Sequence, residues 1–253
     1  MFSSYGKLAT EVYDIDKPVG HSFGDVEYYL RTLKRISGSV LEPAVGSGRI
    51  LIPLLMAGID IDGIDNSEEM LASCSTRCAE RNLRPKLFKA NMQKFSFDKK
   101  YDAIIIPTGS FLLLENRDDA ISALKCFKDH LKMEGELILD LFLPTAFDKK
   151  DIIIKTWETS EGSAITMENR LIHFSQLEQK SVNYLRYEKW KDGRLLDTEL
   201  QKFVLRWFGI EEFKLILKEI GFSQIHITSN YQEDRSPKSD EDLVTFHAKI
   251  TCH

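Results

Sequence analysis

The chain has 253 residues, 43% of them hydrophobic and 29% charged, which is apolar material for one substantial core in one large or two small domains. Lysine and arginine number 34 against 39 aspartate and glutamate, giving a net charge of −5 without blocks of like charge, and this balance excludes nucleic acid as an expected partner. No segment approaches the ~18 apolar residues of a membrane span, and the N-terminus MFSSYGKLATEVYD has no apolar signal core, so no membrane is expected and the cytoplasm is the expected location.

In chain order, Phe2 to about Tyr13 has helical composition, and Asp25 to Ile36 repeats apolar residues at helical spacing. The polar loop DIDKPVGHSFG joins these helices. A first strand, Ser39 to Glu42, leads into a helix from about Gly48 to Ala57. IDIDGID is a second strand ending in Asp65, and Ser67 is an N-cap candidate for the helix after it. LRPKLFKANM supplies a third strand, and YDAIIIPTGS a fourth whose apolar centre suits burial on both faces of a parallel sheet. Asp118 to Leu131 is a helix, and Glu136 to about Phe142 a fifth strand. Strands alternating with helices predict a doubly wound α/β sheet.

Past Pro144 the pattern turns to extended segments between about Ile152 and Phe208, with turn signals at Glu161-Gly162 and Asp192-Gly193. This is an antiparallel β insertion. A helix, IEEFKLILKEI, ends at Gly221. SQIHITS and LVTFHAKIT then form a last strand pair, making seven strands in the main sheet. The expected domains are an N-terminal helical cap over 1–37, the main sheet over 38–150 and 209–253, and the insertion over 151–208. Cys74, Cys78, Cys126 and Cys252 form no Cys-x-x-Cys pair and no cluster at zinc spacing, so no metal is expected, and the first two read as packing on one helix.

VLEPAVGSGR is the stretch that carries chemistry. A strand enters a turn with Gly46 and Gly48, where a missing Cβ lets backbone approach a ligand. Glu42 sits at the carboxyl end of the strand, where ligands lie in open α/β sheets. Asp65 follows Glu42 by 23 residues at the tip of the second strand, in position to accept hydrogen bonds from both hydroxyls of a ribose. A dinucleotide turn needs a third glycine, and that position is Leu51, so a pyrophosphate is disfavoured. What remains is a nucleoside without a phosphate.

On these residues the chain resembles the class I S-adenosylmethionine-dependent methyltransferases, of small-molecule type and methyltransferase domain 25-like, with the layout of sugar N-methyltransferases. The resemblance implies a Rossmann-like fold and S-adenosylmethionine as cofactor, with S-adenosylhomocysteine as product. VLEPAVGSGR resembles the family's first motif with Ala44 in place of a glycine, which calls for a backbone there that avoids strongly positive φ; Ala44 and Gly46 then face the methionine part of the cofactor. GIDNSEEML resembles the second-strand motif, placing Asp65 on the ribose and Asn66 and Met70 beside the adenine. KANMQKF resembles a segment that usually reads Gly-Asp-Met, so Asn91 replaces the acid on the adenine amino group, with Met92 next to it. Pro107 ends the fourth-strand motif, which faces the transferred methyl.

The resemblance also implies a small-molecule acceptor with a nitrogen or oxygen nucleophile, and an insertion that serves as a lid or a homodimer surface. His21, in the loop expected over the cofactor, and Tyr13 are the candidate catalytic groups. Tyr5, Ser110, Phe111, Tyr187 and Arg206 are candidate acceptor contacts, whereas Glu115, His173 and Trp207 receive no role. Other readings stay open at this point: a nicotinamide oxidoreductase, against which the missing glycine counts; a protein or RNA methyltransferase; and a cofactor-binding subunit without turnover, which Ala44 and Asn91 would favour.

Overall fold

The computed structural model describes residues 4–144 and 152–251. Phe2, the expected boundary at residues 150 and 151, and Cys252 lie outside them. Two helices, α1 (Lys7–Asp16) and α2 (Asp25–Leu33), precede an alternating run: β1 (Ser39–Pro43), α3 (Leu51–Met56), β2 (Asp60–Asp65), α4 (Glu68–Ala79), β3 (Leu87–Lys89), β4 (Tyr101–Ile106), α5 (Arg117–His130) and β5 (Leu131–Leu141). An insertion follows with β6 (Ile153–Glu158), β7 (Ala164–Ser175), β8 (Lys180–Lys191) and β9 (Arg194–Arg206), and α6 (Ile210–Ile220), β10 (Ser223–Ser229) and β11 (Val244–Lys249) close the chain. The main sheet has seven strands in the order β10-β11-β5-β4-β1-β2-β3, and β11 runs antiparallel to both neighbours.

Strand β4 explains why the sheet is buried on both sides. Ala103 to Ile106 are fully buried, and alternation sends Ala103 and Ile105 to one layer, with Tyr28, Tyr29, Leu51 and Cys74. Ile104 and Ile106 join Phe127, Phe213 and Phe246 in the other. Helices α2, α3 and α4 cover the first face and α5 and α6 the second. Each buried phenylalanine of this set stabilises the fold by on the order of 1.5–3 kcal/mol. Helix α6 ends where its glycine is placed, with Gly221 at φ 102 and its N–H on the Leu217 carbonyl.

Several boundaries differ from the sequence reading, and two of them have a visible cause in the backbone. Helix α3 starts at Leu51 rather than Gly48, because Gly48 sits at φ 83, outside helical backbone. Strand β5 starts at Leu131 rather than Glu136 and passes a kink at Glu134, φ 61.

The insertion is a separate antiparallel sheet in the order β6-β7-β8-β9. Asp192 and Gly193, at φ 49 and φ 72, make the tight turn between β8 and β9. Its inner face, with Ile165, Met167, Leu185 and Tyr187, packs on Leu8, Ala9 and Val12 of α1. The two helices grouped as one N-terminal cap therefore part: α2 belongs to the main sheet and α1 to the insertion.

Candidate active site

At the carboxyl end of β1 the chain turns through Ala44 at φ 58, Gly46 at φ 56 and Gly48 at φ 83. The expectation that Ala44 avoids positive φ is overturned: it occupies the left-handed region, at a cost of roughly 1–2 kcal/mol, and the Val45 N–H bond to the Ile64 carbonyl at 3.0 Å holds the turn against β2. A Cβ on Gly46 would meet nothing closer than the Met70 sulfur at 3.9 Å, so its open side faces the cavity. Gly48 is different. A Cβ there would lie 2.7 Å from Cys74 Sγ, so this glycine lets α4 pack against the turn, and it does not line the cavity.

Asp65 ties the turn to β2. Its Oδ2 accepts from Gly46 N–H and its Oδ1 from Ser67 N–H, both at 2.9 Å. Burial raises its pKa against the pull of those two donors. Ser67 caps α4 by accepting from Met70 N–H at 3.1 Å, which fixes Asn66 and Met70 on the cavity wall beside Asp65. Asn91 and Met92 line the same wall, held by the Ala90 N–H bond to the Asp65 carbonyl at 2.9 Å. Past β4 the backbone makes a 3-10 turn over Pro107–Leu113, with Thr108 at φ 57 and Gly109 at φ 75. That turn brings Ser110 and Leu113 to the cavity, buries Phe111 and leaves Pro107 beneath, where its carbonyl accepts from Ser110 Oγ.

The roof comes from the N-terminal segment and from the insertion. Leu8 N–H, at the start of α1, donates to Glu199 Oε2 of β9 at 2.8 Å across 191 residues, so the insertion caps the helix. Lys189 pairs with Glu11 at 2.8 Å, and Ser67 Oγ donates to the Tyr5 carbonyl at 2.6 Å. Tyr5 and Tyr13 stand edge to face, 6.0 Å between centroids, and both line the cavity. Burial pushes both phenols up, so both keep their protons at neutral pH; Tyr13 also feels Arg49, which opposes the shift, and Glu42, which adds to it. Gln201, Lys202, Phe203 and Val204 of β9 complete the wall, where Lys202 Nζ bonds both oxygens of Glu115 at 2.6 Å.

Behind the turn lies a buried polar chain. Arg49, 4% exposed, pairs at 2.5 Å with Asp25, which is fully buried. Burial alone would raise Asp25, yet the guanidinium beside it outweighs that and holds the carboxyl below its ordinary value. Arg49 also donates to Thr108 Oγ1 at 2.8 Å and to the His21 carbonyl at 2.8 Å. Thr108 N–H in turn donates to Asp140 Oδ2 at 2.7 Å, and Tyr231 OH donates to the same oxygen at 3.0 Å. Burial pushes Asp140 up to about 6. The left-handed Thr108 is thus fixed from two sides.

Ten of the residues singled out by sequence come together around one cavity of 330 Å³: Tyr5, Tyr13, Ala44, Gly46, Asp65, Asn66, Met70, Asn91, Met92 and Ser110. Others do not join them. The His21 ring lies edge to face on Phe23, 4.8 Å between centroids, and it is the carbonyl of this residue that the site uses. Phe111 is fully buried against Phe208 and Phe213 because the left-handed pair before it rotates the turn into the core. Tyr187 is buried in the seam between insertion and α1, and Arg206 spends its donors on the carbonyls of Glu115 and Glu178. His173 pairs with Glu178 at 2.6 Å. Sequence reasoning missed Arg49, Glu199, Gln201 and Lys202; the arginine directly after GSG was a usable signal, whereas the β9 residues carried none.

The residues present fit a methionine-bearing nucleoside. Glu42, expected on the cofactor, does not line the cavity; it is 3% exposed at the end of β1, beside the turn that does, and its Oε2 has no partner among the described residues. Burial raises the Glu42 carboxyl well above its ordinary pKa, with Arg49 opposing the shift and Asp25 and Asp65 adding to it. An ammonium donor would satisfy that oxygen. Among the described residues no group of His, Cys, Asp and Glu is arranged to hold a metal, and no helix is long and apolar enough to cross a membrane.

The chain is similar to known methyltransferases. Residues 40–135 match the family described as a methyltransferase domain. A protein of Bacillus subtilis (strain 168), provisionally named methyltransferase YqeM, is 27% identical over 224 residues, 84% of each chain. A glycine/sarcosine N-methyltransferase of Aphanothece halophytica is 26% identical over 236 residues, 90% of this chain and 82% of its own. The crystal structure of the sugar N-methyltransferase KedS8 from Streptoalloteichus sp ATCC 53650 superposes with a TM-score of 0.71 over 92% of this chain and 89% of its own, at 21% identity, a likeness of fold.

Proposed function

We propose, for a chain that belongs to the S-adenosylmethionine-dependent methyltransferases, that it methylates the nitrogen of a small amine. The observation that carries the reading is the roof: α1 is capped by Glu199 of β9, and Ser4 and Tyr5 just before the helix and Tyr13 within it line the cavity, which favours a small acceptor over an open trough for a macromolecule. Asp65, Glu115 and Asp119 line the cavity against a single Lys202, a balance that favours a basic acceptor. The relative that acts on glycine and sarcosine and the fold shared with a sugar N-methyltransferase support an amine over an alcohol.

The bound cofactor supplies an electrophilic methyl group carried on a sulfonium. Glu42 would hold its ammonium, Asp65 its ribose, and Asn66, Met70, Asn91 and Met92 its adenine. The chain's remaining work is to align donor and acceptor and to keep the site dry, from which proximity can supply much of the rate. Tyr5 and Tyr13 stay protonated and so act as hydrogen-bonding walls rather than bases. We assign no general base: an amine acceptor would react as the free base, and none of these side chains is needed to remove a proton before transfer.

The reading without turnover loses its footing at Ala44, which adopts the left-handed turn despite its Cβ. The test is release of S-adenosylhomocysteine from S-adenosylmethionine with a panel of small amines and matched alcohols. Turnover of amines is expected; turnover confined to alcohols, or to none, contradicts the reading. We also place a second copy on the outer face of the insertion, where Ile154 and Leu200 are 68% and 45% exposed. Light scattering is expected to give a dimer, and a monomer at all concentrations removes that placement.

A further inference from the structure

Gln201 is out of character for its position. It lies on β9, 1% exposed, on the wall of the cavity, and its Nε2 has no hydrogen-bond partner among the described residues. Its Oε1 is engaged, accepting from Tyr187 OH at 3.4 Å. Burial, reinforced by the nearby Glu199, pushes the Tyr187 phenol up, so Tyr187 keeps the proton it donates and the amide is held with its N–H groups on the unpartnered side. A buried donor left unmet costs a fold on the order of 1–3 kcal/mol, and the polar groups that proteins leave in that state need an explanation. Leu185, its register partner on β8, offers nothing to bond.

We propose that Gln201 is a specificity residue whose amide donates to an oxygen of the methyl acceptor, so that the amines this chain accepts carry a hydroxyl, carbonyl or carboxylate oxygen near the nitrogen. Tyr187 is then a positioning residue that fixes which end of the amide faces the acceptor. The inference rests on the amine reading above and narrows it. A donor-only group selects an oxygen that accepts, and an analogue with a methyl group at that place leaves the amide unmet in the complex as well. Lys202 on the same wall is already bound through Glu115, which leaves Gln201 as the unspent donor on this strand's stretch of the cavity.

The experiment uses the full chain, with S-adenosylmethionine and with glycine, sarcosine, glycinamide, ethanolamine and glucosamine as oxygen-bearing probes, against propylamine and cyclohexylamine without oxygen. Wild-type protein is expected to turn over members of the first set, with kcat/KM roughly tenfold or more above any in the second. Gln201→Glu keeps the shape and the Tyr187 bond but offers no donor when ionised, and is expected to lose that preference while its affinity for S-adenosylhomocysteine is unchanged. Gln201→Met is expected to melt no lower than wild type, since it removes a donor that the free protein leaves unmet; a residue held by a structural water would instead lower the melting temperature. Equal turnover of propylamine and ethanolamine, retention of the preference in Gln201→Glu, or a melting temperature several degrees lower in Gln201→Met overturns the inference and leaves the amine reading standing. Failure of every amine in both sets overturns the amine reading and this inference with it.

Discussion

The floor and the roof of the cavity are built on opposite principles. The floor is local: a strand, a turn and a helix that follow one another in sequence place Ala44 and Gly46, and Asp65 one βα unit later ties its carboxylate to Gly46 N–H. The roof is assembled over long range, with α1 capped by a glutamate 191 residues away and facing side chains from β9. Backbone groups and short-range hydrogen bonds do the work of the floor, so it tolerates few substitutions. Side chains from distant segments make the roof, where we propose that the acceptor is chosen, and such a surface can change without disturbing the fold.

The sharpest way to break the floor is Gly46→Val. Gly46 has φ 56, a region a β-branched residue does not occupy without severe strain, and its open side faces the cavity. S-adenosylhomocysteine titrated calorimetrically into a variant that retains its circular dichroism spectrum is expected to show no binding, and wild-type affinity would move the turn away from the ligand.

The support beneath the floor has a pH signature. Burial raises Asp140 from its ordinary 3.8 to about 6. Between those values the folded protein holds a proton that the unfolded chain has lost, so this group makes stability fall as pH rises through that window, by on the order of 3 kcal/mol in all. Urea unfolding at pH 4.5 and 6.5 is expected to show this fall in wild type and its absence in Asp140→Asn; equal slopes in the two proteins would remove the assignment.

Glu199→Ala tests the roof alone. Loss of the cap on α1 is expected to cost about 1 kcal/mol and to raise the KM of the acceptor more than that of the cofactor. Equal increases in both would mean that the roof does not separate the two halves. The smallest effect belongs to Ala44→Gly, where relief of a left-handed alanine and the extra freedom of glycine in the unfolded chain nearly cancel. Its melting temperature is expected within a few degrees of wild type, and a large drop would show that the Ala44 methyl packs on something essential.

This contrast also explains what the sequence made legible. The run Ala103 to Ile106, the Asp192-Gly193 turn and the Gly221 cap are short-range signals, and the architecture followed from them. Asp65 and Asn66 could be placed because strand ends share one edge of a parallel sheet. Gly48 was misread because two glycines in one turn can serve a ligand or a neighbouring helix, and only the position of Cys74 decides between them. Phe111 was misread because the left-handed backbone of Thr108 and Gly109 reverses which side chains face out. His21 was given a ring chemistry where the fold uses its carbonyl for Arg49. Gln201 and Glu199 could not be found at all, since nothing in a strand's own sequence says which helix its inner face will meet.

The central claim is that this turn and Asp65 hold S-adenosylmethionine, and calorimetric titration of wild type and Asp65→Ala with S-adenosylhomocysteine tests it directly. Wild type is expected to bind with micromolar affinity and the variant about 30- to 150-fold more weakly, on the order of 2–3 kcal/mol for a charge-assisted pair of hydrogen bonds. No binding by wild type, or equal affinity in the two proteins, would contradict the account.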